Sequence, residues 1–294
     1  MADCFTTSFW YMPNRLIGIV SCFKEAKHRQ AIRDTWAKEI PDGWTLKFFL
    51  GGSSWQPETD SAVIEFMGPP ATLSVMHPSK AALAPETAIL SDEIVLDVPD
   101  SYLGTAWKGK SIQKWAFEND FEGLFLGMCD TLIFPKLLHK ATVGDCSAQI
   151  FVASGAKAYP KRVPCPHGGF GYWLSRKALQ AIYDEPVRHY SEDQSTAFAL
   201  HHAGIRIIPN PIFAGNRLLG GHVLIGSVSQ HLSTKHQEFK PSDIYEAWAR
   251  SKHSKILQHY PGWDGVCRKC QGVKFKLGIY GPRCSGCGDL RPWQ

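Results

Sequence analysis

The stretch from Asn14 to Gly52 constrains the fold more than any other part of the chain. Leu16-Ile17-Gly18-Ile19-Val20 is a short apolar run rich in β-branched residues, and Leu46-Lys47-Phe48-Phe49-Leu50 ends at a glycine pair. Between them, Arg29 to Lys38 has helical character, with Ile32 and Trp36 four positions apart on one face. A strand, a helix and a second strand at this spacing form a βαβ unit, which predicts an α/β fold with a mixed, partly parallel central sheet. Glu93 to Asp97 is a further strand candidate, followed by a helix from Thr105 to Asn119 that places Ile112, Trp115 and Ala116 on one side. Gly123 to Gly127 is the next strand, and its apolar run stops at Met128-Cys129-Asp130. An acid at the end of a central strand sits where open α/β sheets place their ligands.

Beyond this unit, Gly168 to Ser175 reads as a glycine-rich turn entering an apolar strand. Ser191-Glu192-Asp193 starts a helix running to His202, and Arg206 to Ile208 is a short strand. Pro241 to Tyr260 reads as a helix capped by Ser242, with Asp243 and Glu246 early and Lys252, His253 and Lys255 late. Five prolines between Ser53 and Ser91 predict loops and short helices, Pro261 to Gly265 reads as a linker, and no internal repeat is visible. The expected organisation is a main domain over residues 1–240, a helix and linker over 241–265, and a separate C-terminal unit over 266–294.

Composition excludes several classes. Of 294 residues, 44% are hydrophobic and 20% charged, enough for a buried core and against wholesale disorder. The net charge of +5 permits an anionic partner without demanding one. Apolar runs such as Leu16 to Val20 and Leu124 to Leu126 fall far short of the roughly 18 residues of a membrane span. Met1 to Tyr11 shows no basic cluster followed by an apolar stretch. The expectation is a cytoplasmic protein with no membrane partner.

The nine cysteines divide unevenly. Cys4, Cys22, Cys129, Cys146 and Cys165 show no spacing pattern and read as free, mostly buried thiols. Cys267-Arg268-Lys269-Cys270 and Cys284-Ser285-Gly286-Cys287 are two CxxC knuckles separated by thirteen residues. A two-residue gap turns both sulfurs of a pair toward one ion, and two knuckles close a tetrahedral shell around Zn²⁺. The gap between knuckles is slightly short for a zinc ribbon, but Gly286 and Gly288 ease the tight turn. Two disulfides or a redox pair are the competing readings. The segment is also basic, with Arg268, Lys269, Lys274, Lys276, Arg283 and Arg291 against Asp289, and with Phe275, Tyr280 and Trp293 interleaved. Such a surface suits a phosphate backbone and stacked bases, or it is a metal staple whose charges are merely solvated.

Several segments together resemble the β-1,3-glycosyltransferases of the galactosyltransferase and Fringe group, which have a GT-A fold. Arg29-Gln30-Ala31-Ile32-Arg33-Asp34-Thr35-Trp36 resembles that group's first helix, and Asp100-Ser101-Tyr102 with Thr105 and Lys108 resembles its next motif. Gly169-Phe170-Gly171-Tyr172-Trp173-Leu174-Ser175-Arg176 and Glu192-Asp193 are similar to its glycine-rich and acidic motifs. The motifs occur in the family's order from about Leu16 to His231, and the cysteine knuckles lie outside them. The resemblance implies a GT-A-like nucleotide-sugar-binding domain and an inverting transfer from a nucleotide sugar, UDP-linked by expectation.

In such a transfer a hydroxyl attacks the anomeric carbon while the nucleoside diphosphate leaves from the opposite face, so a carboxylate must accept the hydroxyl proton. The resemblance assigns this to Asp193, with Glu192 beside it. Ser191-Glu192-Asp193 is equally a helix start with a capping serine and early acids. Arg29, Arg33, Asp100, Lys108, Asp130, Gly169 and Gly171 are the implied donor-binding residues. The family's DDD is reduced here to Cys129-Asp130-Thr131, leaving Asp130, with His231, to hold a catalytic Mn²⁺ or Mg²⁺. The cytoplasmic character and the basic, aromatic C-terminal segment favour DNA as acceptor, through a hydroxymethylated pyrimidine base as in similar bacteriophage enzymes. A polysaccharide, lipid-linked glycan or protein hydroxyl is the alternative acceptor, and an inactive nucleic-acid-binding protein the alternative class.

Overall fold

The computed structural model describes residues 14–54, 89–101, 103–153, 163–210, 212–213, 228–232, 239–253, 275–278 and 281–284. A seven-stranded sheet carries the main body, in the order β10, β6, β9, β4, β1, β2, β3. These strands are β1 (Arg15–Val20), β2 (Trp44–Ser53), β3 (Glu93–Pro99), β4 (Gly123–Met128), β6 (Cys146–Ala148), β9 (Tyr172–Ser175) and β10 (Ile207–Pro209). β1 pairs in parallel with both β2 and β4, β2 with β3, and β10 with β6, whereas β9 runs antiparallel to β4 and β6. The result is an α/β fold with a mostly parallel mixed sheet, reversed at one strand. Two short strands, β5 (Thr131–Ile133) and β11 (Ser229–His231), form an antiparallel pair, as do β7 (Ile150–Ala153) and β8 (Val163–Pro166).

Alternation along β1 explains the layering. Leu16 and Val20 join the apolar cluster under the helices α2 (Thr105–Glu118), α4 (Arg176–Ala181) and α5 (Glu192–His202), while Ile17 and Ile19 join the opposite cluster with Ala31, Ile32 and Trp36. Gly18 keeps the first face close, because a β-carbon there would lie 2.9 Å from Leu124 Cδ1 and 3.0 Å from Ile112 Cγ2. The connections β1–α1–β2, with α1 spanning Ala26–Asp34, and β3–α2–β4 move in opposite directions along the sheet. Right-handed crossovers then place their helices on opposite faces, and the chain order reverses between β1 and β4. Outside the carboxyl ends of these two strands lies the crevice in which such sheets bind ligands.

Three local readings are corrected. The first helix ends at Asp34 rather than Lys38, because Thr35 Oγ1 bonds back to Ala31 O (2.6 Å) and the backbone leaves the helical region, after which Trp36–Glu39 forms a 3-10 turn. Ser191 occupies the N-cap position of α5 but makes no capping bond. The last described helix, α6 (Pro241–His253), is started by Asp243, whose carboxylate accepts from Lys240 N–H (2.8 Å), and not by Ser242. Its Ile244 and Ala247 are buried in the cluster that contains α1. A short helix, α3 (Leu138–Ala141), completes that side.

Cys22, Cys129, Cys146 and Cys165 are free. Cys4, Cys267, Cys270 and Cys287 lie outside the described residues. β12 (Phe275–Gly278) and β13 (Gly281–Cys284) pair antiparallel with Phe275 opposite Cys284. No helix of the described residues is long and apolar enough to cross a membrane.

Candidate active site

The site gathers at the carboxyl ends of β1 and β4. Asp130 lies in the two-residue turn between β4 and β5, and β11 lays His231 beside it, with His231 Nε2 donating to Asp130 Oδ2 (2.9 Å). Because β9 runs against its neighbours, the turn that enters it, Gly168 to Gly171, arrives at this same edge. Thr131 Oγ1 donates to Gly169 O (3.1 Å), and Ser229 Oγ donates to Phe170 O, so both strands of the β5–β11 pair grip the turn. Gly169 has no room for a side chain: a β-carbon would stand 3.0 Å from two atoms of the His231 ring. Gly171 takes φ +70°, and a β-carbon there would meet Leu126 O at 2.7 Å.

α5 completes the site from the other side. A β-carbon on Gly168 would lie 3.3 Å from Glu192 Oε2 and 3.5 Å from Asp193 Cβ. The resemblance's acidic pair, its glycine turn and its Asp130–His231 pair are therefore neighbours, although Asp130 and His231 stand 101 residues apart in the chain.

The two acids of α5 differ. Asp193 is half-buried, its Oδ1 accepting from Ser191 Oγ and from Gln194 N–H (2.8 Å). Among the described residues no cation is paired with it. Glu192 is buried, with Oε1 accepting from Tyr172 OH and from Thr196 Oγ1 (3.0 Å). Burial, and next the charge of Asp193, push the Glu192 carboxyl up to about 8. Glu192 reaches this place because α2 offers Gly109, where a β-carbon would sit 2.4 Å from Glu192 Cγ. His167 and His189 flank Asp193, and burial holds both below the ordinary imidazole range, His189 at about 4. His189 Nδ1 accepts from Ser191 N–H (2.9 Å), so the neutral ring carries its proton on Nε2.

Apart from Asp130, the charged residues assigned to the donor are taken up by partners within the protein. Asp100 and Lys108 form a buried ion pair (2.6 Å), with side chains 0% and 3% exposed. Asp100 also accepts from Phe23 N–H (2.8 Å) and Gly51 N–H (3.1 Å), and Lys108 donates to Ser21 O (2.6 Å). Arg29 donates to Glu93 Oε1 (2.8 Å), Ser21 Oγ (3.2 Å) and Cys22 O. Arg33 makes a fork to Asp92 and also reaches Glu93 (2.7 Å). Together they tie the ends of β1, β2 and β3 into one rigid rim. Glu25 joins this rim through Ser21 Oγ and Cys22 N–H (3.0 Å each), and burial pushes the Cys22 thiol up to about 12.

Sequence reasoning missed the polar network behind Glu192. Tyr172 was visible as part of the glycine motif, but nothing in the sequence marks Gln113 or Thr196. His167 and His189, beside Asp193, were missed as well.

Among the described residues no group of three or more His, Cys, Asp or Glu side chains is arranged to hold a metal ion. Asp130 and His231 supply a pair. With the bridging hydrogen lost from His231 Nε2, their 2.9 Å separation would match the edge of about 3 Å between adjacent ligands of an octahedral ion with bonds near 2.1 Å. The pair therefore fits a hard divalent cation whose other ligands come from substrate oxygens and water.

No family model matches the chain, and no curated protein matches it. Among solved structures, the glycosyltransferase GlyE of Streptococcus pneumoniae TIGR4 overlaps with a TM-score of 0.42 at 9% identity, covering 80% of this chain and 60% of that one. The chain thus spans less than two thirds of GlyE. The galactosyltransferase LgtC overlaps with a TM-score of 0.41 at 10% identity, over 80% of this chain and 95% of that one. The inositol-1-phosphate CTP transferase of T. maritima does so with a TM-score of 0.39 at 11% identity, over 83% and 98%. At such scores the overlaps assign no family.

Proposed function

We propose that the chain is a sugar-nucleotide-dependent glycosyltransferase of GT-A type that transfers with inversion from a UDP-linked donor. The observation that carries this reading is the setting of Asp193. One carboxylate oxygen is fixed by Ser191 and the Gln194 amide, the described residues offer it no cation, and the side chain stands over the glycine turn that faces Asp130 and His231. An alcohol seated there gives its proton to Asp193 as its oxygen attacks the anomeric carbon, and the nucleoside diphosphate departs on the opposite face. Asp130 and His231 would hold Mn²⁺ or Mg²⁺, which offsets the charge gathering on the diphosphate. The rim built by Arg29, Arg33, Asp100 and Lys108 shapes the crevice for the donor through the loop after β1. Asp193→Asn should lower UDP-sugar turnover by at least about a hundredfold while UDP binding persists. Retained turnover removes Asp193 as base.

The finer reading of the acceptor is a 5-hydroxymethylpyrimidine base in DNA, supported by the basic and aromatic residues around the cysteine knuckles. Incubation with UDP-sugars and hydroxymethylcytosine-containing DNA, then digestion and mass spectrometry of the nucleosides, tests it. Sugar on a saccharide, lipid-linked or protein hydroxyl with DNA inert would replace it. An inactive nucleic-acid-binding protein, favoured by the single acid at Asp130, would bind DNA and be indifferent to Asp193→Asn.

The knuckles belong to the same proposal as a structural Zn²⁺ site. The β12–β13 hairpin suits it, because its two strands carry the chain from the first knuckle to Cys284 of the second. Elemental analysis should find one zinc per chain, reduced by Cys284→Ser. A metal-free protein would overturn the site.

A further inference from the structure

Glu192 is a buried carboxyl whose two oxygens have different surroundings. Gln113 Nε2 donates to Thr196 Oγ1 (2.8 Å) and approaches Tyr172 OH (3.4 Å), and Tyr172 OH lies against Glu192 Oε1 and 3.1 Å from Thr196 Oγ1. Glu192 Oε1 accepts twice. Oε2 receives no hydrogen bond from any described residue and is turned to Gly168 in the glycine turn. The ionisable groups that face the carboxyl are Asp193 on its own helix, Tyr172 from β9 and Cys146 from β6, and none of them is a cation. α2 contributes Gly109 and the neutral Gln113. A carboxylate here would be a buried charge with an anion beside it and no counter-ion among the described residues. The protonated form needs neither, and with Oε1 doubly occupied as an acceptor its hydrogen belongs on Oε2.

We propose that Glu192 works as a neutral acid, its Oε2–H donating a hydrogen bond to an oxygen of the bound acceptor and so seating the alcohol that Asp193 deprotonates. This rests on the transferase reading above. Gly168 lies against both residues, its would-be β-carbon 3.3 Å from Glu192 Oε2 and 3.5 Å from Asp193 Cβ, so an alcohol seated at this end of the turn to donate to Asp193 has Glu192 as its neighbour. Consecutive acids thereby divide the work: one takes the proton, the other keeps its own and holds the substrate. The carboxyl's position at about 8 agrees with this division.

The test compares Glu192→Gln, which keeps an acceptor and a donor in the same shape, with Glu192→Ala. UDP release from UDP-glucose and UDP-galactose is followed against pH, with thermal melts to confirm that each variant folds. Glu192→Ala should lose about tenfold or more of the parent's activity at pH 7, and Glu192→Gln should recover at least about threefold of that loss. The parent should lose activity above pH 8, and Glu192→Gln should not. In protein labelled with ¹³C at the glutamate carboxyls, one resonance should titrate near pH 8 and vanish in Glu192→Gln. A Glu192→Gln variant as impaired as the alanine variant, or one sharing the parent's alkaline limb, overturns the proposal. So does a resonance that titrates with the ordinary carboxyls while the parent is active. A parent that releases no UDP yet shows the carboxyl near pH 8 places the failure in the transferase reading and takes the ligand role of Glu192 down with it.

Discussion

Asp193 and Glu192 are neighbours in sequence, yet adjacent positions of a helix do not share a face. Both lie beside Gly168, but Glu192 is buried whereas Asp193 is half-buried, and burial separates their chemistry. The sequence marks both as acids at a helix start and cannot say which is solvated. Gly169 shows the same limit. Its motif is legible, but the reason for a glycine is the His231 ring, supplied from 62 residues later (231 − 169) and lying where a β-carbon would project. Gly169→Ala should push that ring aside and disturb its bond to Asp130. If the pair holds a divalent ion, the Mn²⁺ concentration for half-maximal UDP release should rise about tenfold or more, with little change in melting temperature. Unchanged metal dependence would separate His231 from the ion.

Elements were read well where periodicity was strong. β1, β2, β4 and α2 stand within a few residues of their expected places because alternation and 3.6-residue spacing are local properties. The end of α1 departs from the periodicity, since a threonine bonding back to the preceding turn competes with helix continuation. The ends of β1, β2 and β3 owe their geometry to ion pairs across the sheet, which no local pattern announces. Lys108→Met would leave Asp100 buried without its cation and should lower unfolding free energy by about 3–5 kcal/mol, measured by urea denaturation. A loss below 1 kcal/mol would mean that water reaches the carboxylate. Arg29, Arg33, Asp100 and Lys108, expected to bind the donor, thus act as struts. Their charge was legible, but their direction was not.

At the scale of the molecule, two buried groups shape the pH dependence of stability. The folded protein holds Glu192 at about 8, above its ordinary 4.5, so it binds more protons than the unfolded chain between these values and loses stability as pH rises through them. His189 is held at about 4 against an ordinary 6.5, so its contribution is present above 6.5 and is lost as pH falls toward 4. The two oppose each other between 4.5 and 6.5, and from 6.5 to 8 only the Glu192 decline remains. Urea midpoints should therefore fall across pH 6.5 to 8 in the parent and stay level in Glu192→Gln; parallel curves would place the effect elsewhere. The sequence by itself determined the strands and helices, their order, and the arrival of an acid at the end of β4, since backbone sterics and hydrophobic spacing act over a few residues. Tertiary structure alone decided which charges are paired, which acid is buried, and that Asp130 meets His231 across 101 residues. Protonation and ion pairing depend on solvent exclusion and on partners brought near by chain topology, and neither is a property of a short segment.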